Sequence, residues 1–223
     1  MVQRKKGRIV RAARRAVIFD FDGTISDSFD YVFDFLRTEA GNTHDFTEGE
    51  RKQLREMSMK RLALHLGVRP WRLASIYFKG RRVMRAHMEH VKPFPGMDEV
   101  LKQLYAEGYE LYVASANSGK NIRHLLKSQG IAGYFKAVRG GSGFMGKSTL
   151  IRQIMLRYRL QARSTWYVGD ETGDVVAAAL AGVRCLAVGW GFADPEKLKQ
   201  VDPAAFADRP ADIPKLLDAS WKK

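Results

Sequence analysis

Four short apolar runs punctuate the chain: AVIFD (16–20), ELYVAS (110–115), TWYVGD (165–170) and RCLAVG (184–189). A weaker one, FKAV (135–138), adds a fifth. Runs this short and this rich in β-formers read as buried strands. Helical patterns fill the intervals, at 97–107, 119–129, 148–160 and 173–182. Strand alternating with helix predicts a parallel sheet with helices on both faces. In such sheets a site forms at the carboxyl ends of the strands, so the polar residues there carry most information.

One stretch breaks the alternation. Between about Ser28 and Val91 the pattern is helical throughout and no strand is evident. It ends at KPFPG, where prolines and a glycine mark a boundary. The 223 residues (25.2 kDa) suit one core with a large insertion, or two small domains. The expected division is a basic arm over 1–15, an α/β core over 16–27 and 92–223, and a helical insertion over 28–91.

Charge restricts the partners without naming one. The net charge is +14, the first residues RKKGRIVRAARR carry no acid, and between 51 and 92 the only acids are Glu56 and Glu89. Such a field attracts anions of any kind, phosphorylated metabolites and nucleic acid included. The arm reads as a solvated extension. No apolar run is long enough to span a membrane and no secretory leader is evident. The one cysteine, Cys185, sits in a predicted buried strand and reads as an inert thiol. A cytoplasmic monomer is the expectation.

The first strand runs directly into DFDGT (19–24 with Phe19). The i, i+2 spacing puts Asp20 and Asp22 on one side of an extended chain. Adjacent carboxylates repel unless a cation or a shared proton relieves them, and Gly23 permits a tight turn whose amides can face an anion. Read alone, Asp170 and Asp174 in VGDETGD fit a helix start, Glu171 fits a solvated acid there, and Ser115 fits a turn hydroxyl. Asn117 is a loop amide or a substrate contact. GSGFMGKS (141–148) satisfies the nucleotide P-loop pattern G-x-x-x-x-G-K-[ST], yet it follows the third strand rather than the first. GWGF (189–192) lines an entrance or packs its own loop.

VIFDFDGTISDS resembles the first motif of the haloacid dehalogenase superfamily of phosphatases and phosphotransferases. Ser115 in YVASANS, Lys147 before a helix, and Asp170 and Asp174 in VGDETGD are similar to its other motifs, in the same order, over roughly 16–215. The resemblance implies a Rossmann-like parallel sheet with a helical cap inserted after the first strand. It implies Asp20 as nucleophile, Asp22 as general acid and base, and Mg2+ held by Asp20, the Asp22 carbonyl and Asp170. Asp174 would hold a metal-bound water or Lys147. Gly23, Ser115, Ala116 and Lys147 would bind the transferring phosphoryl group. Asp22 favours phosphate esters, because the dehalogenases and phosphonatases of the superfamily lack that residue.

REMSMKRL (55–62) resembles the R-G-[LM]-S cap segment of phosphoglycolate-phosphatase-like members, with Glu56 in the glycine's place. Arg55 and Ser58 match that segment and are candidate substrate contacts, as Asn117 is on its own account; Arg55, Lys60 and Arg61 either meet an anionic substrate tail or form a solvated helix face. His65, His87 and His90 show no metal-ligand spacing beyond H-x-x-H, His87 reads as a helix-surface residue, and the Met and aromatic residues over 73–88 read as cap core. The expected function is Mg-dependent hydrolysis of a small anionic phosphate monoester. Rival readings are a phosphomutase of the same family, a P-loop nucleotide hydrolase, and a nucleic-acid-binding or end-processing protein.

Overall fold

A computed structural model describes residues 14–55, 57, 59–87, 90–141 and 146–221. Six strands form one parallel sheet: β1 (Ala16–Phe19), β4 (Glu110–Ser115), β5 (Phe135–Gly140), β6 (Thr165–Gly169), β7 (Arg184–Val188) and β8 (Ala205–Ala207). Their order across the sheet is β5-β4-β1-β6-β7-β8, and all five pairings are parallel. The five expected strands are present with ends within two residues. The short β8 escaped notice because AFA lacks the β-branched run that marks the others.

The four central strands are largely buried on both sides because helices cover both faces, while the edge strands β5 and β8 are only partly covered. Val17, Phe19, Val113 and Val168 pack with α5 (Met97–Ala106), α6 (Gly119–Ser128) and α10 (Ile213–Trp221). Their neighbours Ile18, Tyr112 and Tyr167 pack with α7 (Gly146–Tyr158) and α8 (Thr172–Ala181). The alternation along β1 is the period-two rule of a strand.

Between β1 and α5, the described residues form four helices: α1 (Phe29–Ala40), α2 (Glu48–Arg55), α3 (Met59–His65) and α4 (Leu73–His87). None buries its apolar stripe alone. Phe29, Phe33, Leu36, Leu54, Leu62 and Ile76 close a separate core. The stripe is incomplete on α4's surroundings, since Trp71 and Phe78 stand 74% and 52% exposed. Where the chain leaves and re-enters the sheet domain, β2 (Ser26–Asp27) pairs antiparallel with β3 (Lys92–Pro93). This two-rung ladder ties both crossings together and has no sequence signature of its own.

Residues 1–13 lie outside the described part; the last two residues of the basic arm are tied to the core, Arg14 while still exposed. Arg14 donates to Glu110 and to the Tyr158 carbonyl, and Arg15 to the Glu107 carbonyl and Asp218. Among the described residues no helix is long and apolar enough to cross a membrane.

Cys185 is 4% exposed within the sheet, and burial pushes its thiol well above the ordinary range. The native protein is therefore expected to resist an aromatic disulfide reagent and to react only as it unfolds in denaturant. Rapid modification of the folded protein would contradict this packing.

Candidate functional site

The order of the strands reverses at β1, whose neighbours β4 and β6 run to opposite edges. The crevice at its carboxyl end is where a parallel sheet leaves room for a ligand. Asp20 follows the last residue of β1, and its N–H extends the ladder to the Val168 carbonyl at 2.8 Å. Its carboxylate is therefore held in line with the sheet. Oδ2 accepts from Lys147 Nζ at 2.6 Å, while Oδ1 is buried with no hydrogen-bond partner.

Lys147 enters from the first turn of α7 and also donates to Asp174 Oδ1 at 2.5 Å. Asp174 is fully committed. Its Oδ2 caps α8 by accepting from the Asp170 and Glu171 N–H groups, and its Oδ1 also accepts from the Tyr167 hydroxyl. Asp170 accepts from the Thr24 hydroxyl at 2.8 Å and from the Phe192 N–H at 2.8 Å. Thr24 and the Phe192 backbone were not legible in the sequence, since neither is a titratable group at a strand end.

Burial pushes the Asp20 carboxyl up to about 7, against the lowering pull of Lys147. Burial also raises Asp170 well above the carboxylate range, with Asp174 and Asp20 adding repulsion. Burial alone would lower the Lys147 ammonium, but Asp174 and Asp20 outweigh it and hold it well above its ordinary value. One ammonium thus faces three acids whose oxygens lie within 4.8 Å of one another: Asp20, Asp170 and Asp174. The charge is short of balance by more than one unit when all three ionise. An all-oxygen donor set with an unpartnered Asp20 Oδ1 fits a hard divalent cation such as Mg2+. Asp174, already saturated, suits the lysine rather than the metal.

Asp22 is half-buried and turned by the neighbouring loop. Oδ1 accepts from the Ser28 hydroxyl at 2.8 Å and Oδ2 from Asn117 Nδ2 at 2.8 Å. Asn117 is therefore more than a loop amide: it lines the cavity and its side-chain amide orients Asp22. Its own carbonyl is occupied by the Ser118 N–H and Asn121. Burial raises the Asp22 carboxyl above its ordinary value, against these bonds. Ser115 lies beside it, with Oγ accepting from the Asn117 N–H at 3.1 Å.

Several expectations need correction. The Gly23 N–H donates to the Ser26 carbonyl at 3.0 Å, so it closes its own turn instead of facing an anion. Gly23 is required for another reason. At φ 78° a Cβ there would stand 2.1 Å from Asp170 Oδ2. Arg55 does not line the cavity. It is drawn to Asp27 at 3.2 Å and Asp30 at 2.8 Å, and lies over the Phe29 ring. Ser58 lies outside the described residues. Glu171 is half-buried and faces the cavity, where its carboxylate accepts from the Met59 N–H. The P-loop lysine serves Asp20 and Asp174, and residues 142–145 of that pattern lie outside the described part.

A cavity of about 580 Å³ joins these groups to the helices above. Asp20, Asp22, Ser115, Ala116, Asn117 and Lys147 form its floor. The helical insertion supplies the roof, and Tyr77 on α4 donates its hydroxyl to the Ala116 carbonyl at 2.6 Å. Phe192 completes the wall and stacks toward Phe29, so the GWGF loop both lines the entrance and packs.

A model of the family "Haloacid dehalogenase-like hydrolase" matches residues 17–188. A phosphoglycolate phosphatase of Synechococcus elongatus is 32% identical over 201 residues, covering 89% of this chain and 95% of that one. A 5'-nucleotidase of Pseudomonas aeruginosa is 25% identical, covering 91% and 95%. In fold, the chain resembles a haloacid dehalogenase-like family protein from Streptococcus pneumoniae, with a TM-score of 0.74, 21% identity and coverage of 91% and 97%. It also resembles CbbY from Rhodobacter sphaeroides, solved with phosphate, with a TM-score of 0.70, 17% identity and coverage of 92% and 99%.

Replacing Lys147 with Met strands Asp20 and Asp174 in the interior without their shared cation. The expected loss, read by urea unfolding in chelator, is about 3–5 kcal/mol. A buried acid with a raised value favours the native state as pH falls, because the folded form then holds more protons than the unfolded one. The loss should therefore shrink as pH falls toward about 7, the parent value of Asp20, because without the ammonium that acid takes up its proton at higher pH. A variant as stable as the parent at alkaline pH would show that the ammonium is not what holds these acids together.

Proposed function

The chain belongs to the haloacid dehalogenase-like hydrolases, and on that premise we propose that it is a Mg-dependent phosphatase working through a phosphoaspartate on Asp20. It is a hydrolase of phosphate esters, similar to phosphoglycolate phosphatases. The observation that carries the mechanism is the Asp20 carboxylate itself. One oxygen is bound by Lys147, and the other is free, buried and at the cavity floor.

The Asp20 carboxylate attacks phosphorus, and the bond from phosphorus to the ester oxygen breaks. Asp22 gives its proton to the departing alkoxide, then accepts one from the water that attacks the phosphoaspartate. That second attack breaks the bond between phosphorus and Asp20 and releases inorganic phosphate. Burial suits Asp22 to this exchange by raising its proton affinity, while Ser28 and Asn117 hold it in one orientation. Lys147 and the Ser115 hydroxyl would carry charge on the phosphoryl oxygens. Asp20, Asp170 and the Asp22 carbonyl would hold Mg2+, which supplies positive charge between the carboxylates and the phosphate. The substrate would be a small phosphorylated metabolite. The curated relatives make phosphoglycolate the reference ester.

Phosphate release from phosphoglycolate and from an aryl phosphate, with and without Mg2+, tests this reading. Asp20→Asn should abolish turnover with the fold retained. Asp22→Asn should lower kcat by about 10²–10⁴-fold. Asn117→Ala should lower kcat more than it raises KM, as expected for a group that orients the acid. Sustained turnover by Asp20→Asn would rule out the phosphoaspartate. Detection of an isomerised phosphate ester without free phosphate would point to a mutase instead.

A further inference from the structure

The cavity has two unlike ends. Its floor is ionic, but among the described residues its roof is almost wholly apolar, with Phe35, Leu36, Ala63, Leu73, Ile76 and Phe192 facing inward. Its volume of about 580 Å³ falls in the range of roughly 300–1,000 Å³ typical of sites that enclose a drug-sized ligand. A phosphoryl group and a short polar glycolate would occupy the floor and leave that apolar space unused.

Among the described residues, the cap cations do not converge on the cavity as an anionic tail would require. Of the three cap cations considered for that role, Arg55 is paired with Asp27 and Asp30, and neither it nor Arg61 lines the cavity. Lys60 does line it, but is exposed, as a long cationic side chain at a rim can be while its stem covers apolar surface. The Tyr77 hydroxyl is already donated to the Ala116 carbonyl.

One residue keeps the chamber wide. Gly80 lies inside α4, where glycine weakens a helix relative to alanine. It is buried, and a Cβ there would stand 2.8 Å from the Phe35 ring. The missing side chain lets that ring lie back against α4. Any side chain at 80 forces the ring to move, and both residues line the cavity.

We propose that the roof selects phosphate monoesters whose alcohol part is apolar, an alkyl or aryl group, and that the Gly80–Phe35 contact sets the size accepted. This deepens the phosphatase reading and rests on it for the reacting end. The ester bond to such a group is broken as above, with Asp22 giving its proton to the departing alcohol oxygen. Burial of the alcohol part would be favourable by about three- to fivefold per methylene until the chamber is full.

The test uses the full chain with Mg2+ and n-alkylphosphonates from methyl to hexyl, titrated by calorimetry, beside kcat/KM for the matching alkyl phosphates and phosphoglycolate. Affinity is expected to climb about three- to fivefold with each methylene, and hexyl phosphate to exceed phosphoglycolate in kcat/KM. Gly80→Ala should erode the gain for the longest members while sparing methylphosphonate. Phe35→Leu, which makes room, should extend the gain to longer chains. Affinity that stays flat along the series, or a preference for phosphoglycolate over every alkyl ester, overturns the proposal. If esters are cleaved while the series is flat, the phosphatase reading stands and this one falls. If phosphonates show the gain but no ester is cleaved, the chamber assignment stands and the phosphatase reading falls.

Discussion

The Lys147 ammonium between Asp20 and Asp174 is the contact on which the rest of this structure depends. Three buried acids crowd within 4.8 Å, and one permanent cation stands among them. A buried acid without a partner costs several kcal/mol, so the arrangement persists only because its remaining oxygens are saturated by hydrogen bonds. Asp174 takes four donors, and Asp170 takes two. Asp20 alone retains an unbonded oxygen. Among these three acids, the one unbonded oxygen thus belongs to the residue that lines the cavity.

Around that centre the chain separates two jobs. The sheet supplies rigid strand ends, and these place Asp20, Ser115 and Asp170 without any cap residue. The helical insertion contributes a second apolar core and the roof, and meets the floor through few polar contacts. Tyr77 to the Ala116 carbonyl and the Met59 N–H to Glu171 are two of them. Both bonds end at residues flanking the site, so any motion of the insertion would be felt there. The two-rung ladder of β2 and β3 is the narrow joint between the parts.

The strands and most helix limits were readable from local pattern, because burial on both faces leaves continuous apolar runs that few other structures produce. Asp20, Asp22, Ser115, Lys147, Asp170 and Asp174 stood out as polar residues at such a run's end or at a following helix start, but their grouping into one site was implied only by the resemblance to the family. Other roles were not. Asn117 to Asp22 spans 95 residues, and Trp190 to the Thr24 carbonyl spans 166. Arg55 has the right type and place for a substrate contact, yet Asp27 and Asp30 draw it aside. Its partners' proximity depends on how α2 packs against the start of α1.

By itself the sequence determined the α/β alternation, the place of the helical insertion, and which polar residues stand at the sheet's carboxyl edge. Those follow from hydrophobic period and chain order, which are local quantities. Only the tertiary structure decided that Lys147 bridges two acids, that the Gly23 amide turns inward, and that the cavity roof is apolar. It also decided that Gly80 and Phe35 share one space. These depend on the distance between segments remote in the chain, and such distances come from the packing of whole helices, not from any motif.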